Sequence, residues 1–179
     1  EAAKLLSGAE KPLIIVGGGA IGGEAAVRML AEKLAAPVAT SVAGSGILPC
    51  SHPLSLGPTL VSAATHGLIA AADVVLVAGS ELASTDTWGN EFAFNGKLIR
   101  IDIDASQFTN GPKADVELHG DAPAILEVLS DQVETGADEA RRETVEAQAA
   151  AANQLRQAGF TVAEQDRKST RLNSSHTVL

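Results

Sequence analysis

Gly17-Gly18-Gly19-Ala20-Ile21-Gly22 fits the pattern Gly-x-Gly-x-x-Gly, directly after an apolar run and ahead of helix formers. Such a turn lets backbone N–H groups approach a phosphate at a helix N-terminus. The same glycines can equally make no more than a tight strand-to-helix turn. A dinucleotide site also needs an acid at the end of the second strand for the ribose hydroxyls. Thr40-Ser41-Val42-Ala43 offers none, which argues against an NAD-dependent dehydrogenase. Asp102 and Asp104 close another apolar run, and alternation puts them on the same side of a strand. Acids there can accept hydrogen bonds from a ribose, although Asp104, just ahead of Ala105-Ser106, can also cap a turn. A third ligand for a metal corner is not evident, so no metal site is expected. Gly120-Asp121-Ala122-Pro123 reads as a helix start with Asp121 as N-cap. His52, His66 and His119 are scattered, no Ser or Cys has a base at motif spacing, and Gly-x-Ser-x-Gly, His-Glu-x-x-His and P-loop patterns are missing. No catalytic residue is expected in the chain.

These residues punctuate an alternation of short β-branched runs and longer Ala-rich stretches. Strands are predicted at 12–16, 37–42, 54–57, 73–78, 97–103 and 116–118. Helices are predicted at 20–35, with Ala25, Met29 and Leu30 on one face, at 60–71 and from about 121 to 133. Trp88 and Phe92 are expected to cover the sheet edge. Nearly continuous apolar strands separated by helices indicate a mainly parallel, doubly wound α/β sheet of six strands covered on both faces. Ligands in such sheets bind where loops leave the carboxyl ends of the strands. The predicted rim therefore comprises 17–19, 43–48, 79–85, 104–107 and 120–121.

Composition narrows the partners. The 179 residues include 13 basic and 22 acidic side chains, aromatics are 3%, and the net charge is −9. That combination disfavours nucleic acid and anionic membrane surfaces. A single cysteine, Cys50, excludes an intrachain disulfide. No apolar run approaches the length of a membrane span and no signal pattern is present, so the expected location is cytoplasmic.

The stretch 136–165 is polar and Ala-rich and reads as a solvated or partner-packed helical linker toward a missing C-terminal domain. Residues 166–179 break with everything before them: Ser-rich, without apolar period, and carrying three of the 13 basic residues against one of the 22 acids. They look like an in-frame translation of a sequencing adapter, a non-native tail.

The order of motifs resembles the central domain of thiamine-diphosphate-dependent enzymes of the acetolactate synthase and 2-oxo-acid decarboxylase group. The matching text runs from Lys11-Pro12-Leu13-Ile14-Ile15-Val16-Gly17-Gly18-Gly19 through Ala36-Pro37-Val38-Ala39-Thr40, Gly46-Ile47-Leu48-Pro49 and His52-Pro53-Leu54. It continues with Ala72-Asp73-Val74-Val75-Leu76-Val77-Ala78-Gly79, Leu98-Ile99-Arg100-Ile101-Asp102-Ile103-Asp104 and Gly120-Asp121-Ala122. The resemblance covers residues 1–135. It implies a three-layer sheet of the deoxyhypusine-synthase-like NAD/FAD-binding type, set between two thiamine-binding domains that carry the catalytic glutamate and the magnesium motif. Thiamine diphosphate and Mg would belong to those absent domains, because Gly120-Asp121 is followed here by Ala122-Pro123. A homo-oligomer, dimer or tetramer, is implied.

Some family members hold FAD or ADP in the crevice and others leave it empty. By position, Gly17, Gly18, Gly19, Gly79, Ser80, Asp102, Ile103 and Asp104 would line it. Glu81 stands where a cation would meet diphosphate and Ser45 where many members have Lys, which favours the empty crevice. The run Ser80-Glu81-Leu82 to Asp104 resembles decarboxylases of 5-guanidino-2-oxopentanoate more than acetolactate synthases. The alternative from a different class is a free-standing nucleotide-binding module of the same fold.

Overall fold

The computed structural model describes residues 1–88, 91–136 and 139–154. The expected adapter-like tail, 166–179, and the end of the expected linker lie outside the described residues. Six strands form one sheet: β1 (Pro12–Val16), β2 (Val38–Thr40), β3 (Ser55–Gly57), β4 (Val74–Ala78), β5 (Lys97–Asp102) and β6 (Val116–His119). Their order is β3-β2-β1-β4-β5-β6 and every pairing is parallel. Strand order therefore reverses between β1 and β4, the point at which a doubly wound sheet opens a crevice.

Alternation along the central strands sends side chains into two cores. Ile14, Val16, Leu76, Ala78, Ile99 and Ile101 meet α1 (Ala2–Ser7), α2 (Glu24–Leu34) and α5 (Ala122–Gln132) on one face. Leu13, Ile15, Val75, Val77 and Leu98 meet Ile69 of α3 (Ala63–Ala71) on the other. A short α4 (Ser84–Thr87) follows β4. The last helix, α6 (139–154), lies on the second face, where Ala149 and Ala152 are buried. Three layers result.

Local chemistry explains several boundaries. Pro12 opens β1, where its missing N–H leaves no orphan in the strand interior. Asp121 caps α5 by accepting from the Ala124 N–H at 3.1 Å, and Pro123 sits in the first turn. Lys33 Nζ donates to the Ser130 and Val133 carbonyls at the other end of α5, at 2.7 and 3.2 Å. Asp73 joins β4 to β1 by accepting the Glu10 and Lys11 N–H groups at 2.6 and 2.8 Å.

Two expectations are corrected. The buried face of α2 is Ala26, Val27, Leu30, Ala31 and Leu34, while Ala25 and Met29 face solvent; the 3–4-residue spacing of Val27, Leu30 and Leu34 sets the apolar face. Trp88 is 78% exposed rather than packed over the sheet edge, whereas Phe92 packs on the second core with its ring centroid 4.9 Å from that of His66. The polar α6 is tied to the rest of the domain by hydrogen bonds: Arg141 donates to the carbonyls of Ala9 and Leu34, Arg142 to that of Glu32 and Asn153 to that of Ser55. Alanines supply its apolar contact, which is why no strong stripe is visible in the sequence.

Candidate functional site: the carboxyl-end rim

The loops after β1 and β4 approach each other as closely as backbones can. A Cβ on Gly17 would lie 2.2 Å from the Gly79 carbonyl oxygen, and one on Gly79, which has φ +58°, would lie 2.5 Å from the Gly19 carbonyl carbon. These positions admit glycine alone. The close approach uses the loop's own polar groups. Gly17 N–H donates to the Ala78 carbonyl at 2.9 Å and Gly19 N–H to the Gly79 carbonyl at 3.0 Å. Ala20 and Ile21 donate to the Gly17 and Gly18 carbonyls in a 3-10 turn at Gly18–Ala20.

Gly22 N–H donates to Glu24 Oε1 at 3.0 Å. That bond and one from its own backbone N–H hold the Glu24 carboxyl below its usual range. The N-terminus of α2, where a phosphate would sit, thus already faces a carboxylate of the chain.

The two acids after β5 are engaged in the same local way. Asp102 is buried and its Oδ1 accepts from the Asp104 N–H at 2.9 Å. Asp104 Oδ1 accepts from the Ser106 N–H at 2.9 Å and caps the next turn, and this bond keeps its carboxyl below the ordinary range. Ser80 Oγ accepts from the Leu82 N–H at 3.2 Å. Ile103 projects outward, and its carbonyl pairs with His119 Nε2 at 3.0 Å.

The expected residues are therefore brought to one end of three neighbouring strands, β1, β4 and β5, joined by the Gly79 N–H to Ile101 carbonyl bond of 2.9 Å. None of three cavities of 410, 550 and 360 Å³ is lined by one of the eight expected crevice residues, although Leu82 and Ser84 of the expected 79–85 rim loop line the 550 Å³ one. Among the described residues no group of three or more His, Cys, Asp or Glu is placed to hold a metal ion.

Sequence reasoning passed over two residues. Glu24 was readable as an acid at a helix start. Arg100 was hidden inside a strand: it is buried, donates from Nη1 to the Gln107 and Asn110 carbonyls at 2.6 and 3.3 Å, and leaves Nη2 without a hydrogen bond. Burial lowers its pKa against the opposing pull of Asp102 and Glu117. Arg100 thereby ties down the loop that follows the rim acids.

A six-stranded parallel sheet in this order, with a glycine-closed switch point, defines a doubly wound α/β domain. Comparison with known proteins places it further: residues 1–129 match the family described as thiamine pyrophosphate enzyme, central domain, and the chain belongs to that family. It is 45% identical over 128 residues to the "Probable 2-ketoarginine decarboxylase AruI" of Pseudomonas aeruginosa, a match covering 72% of this chain and 23% of that protein. The "Probable acetolactate synthase large subunit" of Methanocaldococcus jannaschii is 34% identical over 134 residues, covering 72% of this chain and 23% of that protein. Acetolactate synthase isozyme 1 large subunit of Escherichia coli is 32% identical over 137 residues, covering 75% and 24%. The chain thus spans about a quarter of the length of the curated relatives it matches.

Proposed function

We propose that this chain is the non-catalytic middle of a thiamine-diphosphate-dependent enzyme, a carbon–carbon lyase or transferase that removes CO2 from a 2-oxo acid. The carrying observation is the match of residues 1–129 to the central domain, joined to 45% identity with a 2-ketoarginine decarboxylase against 34% and 32% with two acetolactate synthases. A decarboxylase acting on a guanidino 2-oxo acid is the reading this favours, with acetolactate-synthase-like coupling second.

Thiamine diphosphate, when bound, supplies the carbanion that attacks the 2-oxo carbonyl and the electron sink that lets CO2 leave. The residues described here do not fit that cofactor or its magnesium. Asp121, in the one Gly-Asp pair of the chain, already caps α5 and is followed by Ala122-Pro123. Both groups would be held by flanking segments, and this domain's part is to carry those segments in a cytoplasmic homo-oligomer. No helix among the described residues is long and apolar enough to cross a membrane.

FAD or ADP does not fit the Rossmann-like rim well either. The Gly17, Gly19 and Gly79 amides are engaged internally, Glu24 accepts from the Gly22 amide at the helix end, and Glu81 and Ser45, both exposed, stand where cations would be needed. The rim residues Gly17 to Gly19, Gly79, Ser80 and Asp102 to Asp104 serve closure of the sheet end.

The test is an assay of the intact enzyme encoded by the source gene. CO2 release from 5-guanidino-2-oxopentanoate that depends on added thiamine diphosphate and Mg is expected, with an aldehyde as co-product. Acetolactate formed from pyruvate alone would select the second reading, and no thiamine-dependent turnover of either acid would overturn both.

A further inference from the structure

Four of the large apolar side chains that the fold leaves exposed sit at the same end of the sheet. Ile21 follows β1, Val42 follows β2, Trp88 follows α4 and Ile103 follows β5, and they are 62%, 76%, 78% and 71% exposed. Their strands or loops belong to β2, β1, β4 and β5, which are consecutive neighbours in the sheet. The loops also touch: a Cβ on Gly18 would lie 3.1 Å from Ala43 Cβ, and the Val42 N–H donates to Asp86 Oδ1 at 3.5 Å. Isolated exposed apolar residues are ordinary, but several gathered on neighbouring loops at one end of a sheet mark a contact surface.

Charge says what kind of surface meets it. The loops 17–23, 41–48, 79–88, 102–107 and 119–121 carry Glu81, Asp86, Asp102, Asp104 and Asp121, with Glu24 at the adjoining start of α2, and no Lys or Arg. An anionic nucleotide would meet uncompensated negative charge, and a second copy of this rim would oppose acid to acid. The complement is a protein surface with an apolar centre and a rim of Lys and Arg.

We propose that the carboxyl-end rim is a protein-docking face, covered in the intact enzyme by a basic-edged surface from a flanking segment of the same polypeptide. This rests on the reading of the chain as the middle of a longer enzyme, because that reading supplies the polypeptide that covers the rim: the match spans 23% of the 2-ketoarginine decarboxylase and is named a central domain. Exposure of the apolar side chains, closure of the glycine turn and the one-sided charge are then three parts of one design.

The experiment compares amide hydrogen exchange of the 179-residue chain with that of the intact enzyme, while the thiamine-dependent CO2 assay is run on the latter. Peptides covering 17–23, 41–48 and 79–88 are expected to exchange at least about tenfold more slowly in the intact enzyme. Val42→Asp with Ile103→Asp should leave the melting temperature of the 179-residue chain unchanged and abolish the protection in the intact enzyme. Glu81→Lys should reduce that protection and make it less sensitive to salt. Equal exchange in chain and intact enzyme overturns the docking face even where the enzyme is active. Protection that disappears on stripping a co-purified flavin or ADP overturns it in favour of a nucleotide. Protection in the isolated chain that grows with its concentration overturns it in favour of self-association. Loss of the CO2 activity alone counts against the proposed function and not against the covered rim.

Discussion

The two ends of the sheet are built in opposite ways. At the carboxyl end, glycines bring the β1 and β4 loops into backbone contact, and apolar side chains stand outside. At the amino end, Pro12, Leu13, Pro37, Ala72, Arg141 and Val145 help line a cavity of 410 Å³, and α6 forms one wall. Parallel α/β sheets ordinarily place their ligand crevice at the carboxyl end. Here the β1–β4 contact at that end is closed by its own hydrogen bonds, and open volume remains beside the loop after β4, in a 550 Å³ cavity lined by Leu82, Ser84 and Thr87, and at the end that usually serves stability. A switch point therefore locates a meeting place of loops, and the side chains on it decide whether the guest is a nucleotide or a protein.

The comparison can be broken most sharply at Gly79. Gly79→Ala places a Cβ 2.5 Å from backbone at φ +58° and should cost about 3 kcal/mol or more. Gly46→Ala, at φ +97° with nothing within 4 Å, should cost only about 1–2 kcal/mol. Urea denaturation of the two variants measures the difference, and equal costs would mean the close approach is not what glycine serves.

At the other end, Ala149→Glu drives a carboxylate into the second core, where Ala149 is buried. A loss of about 2 kcal/mol is expected, with faster amide exchange confined to α6 while β1 and β4 stay protected. A global loss of protection would instead make α6 part of the cooperative sheet unit.

A smaller effect is expected at Asp121. Asp121→Ala removes the cap on Ala124 N–H and should lower stability by about 1 kcal/mol. Thermal melts compared with Asp121→Asn, which keeps an acceptor, distinguish lost capping from lost charge.

The gentlest test is acid. Asp115 is held below its ordinary range first by the Lys97 ammonium, 2.6 Å away, and then by the Leu98 N–H, and Asp104 and Glu24 are lowered by backbone amides. A carboxyl with a depressed folded pKa adds stability above its unfolded value and loses it as pH falls through the folded one. Stability should be flat above roughly pH 5 and decline below roughly pH 4, and Asp115→Asn should make that decline shallower. An unchanged acid slope in the variant would remove Asp115 from the account.

Much of the fold was legible because it rests on patterns within a few residues. Pro12–Val16 and Val74–Ala78 are unbroken apolar runs, and both are central strands. Asp121 ahead of Ala122-Pro123 is a cap by its type and place, and it caps. The face of α2 was misread because its apolar face is set by Val27, Leu30 and Leu34 at 3–4-residue spacing, which leaves Ala25 and Met29 on the opposite side. Placement of Trp88 failed for a different reason. A large aromatic ahead of Phe92 reads as cover for the sheet edge, and no local pattern tells that Trp88 stays 78% exposed. The rim itself was located by loop position, but its character depends on where amides such as Gly19 N–H are directed, and no local pattern encodes that.

The most direct measurement of the central claim is a titration of ADP, followed by FAD, into the isotopically labelled chain and into the intact enzyme, following the Gly17, Gly18, Gly19 and Gly79 amides. A rim closed on itself predicts no saturable shift at any of these amides up to millimolar ligand in either sample. A saturable shift of the four together, and its loss in Gly18→Ala, would contradict it and restore the crevice as a nucleotide site.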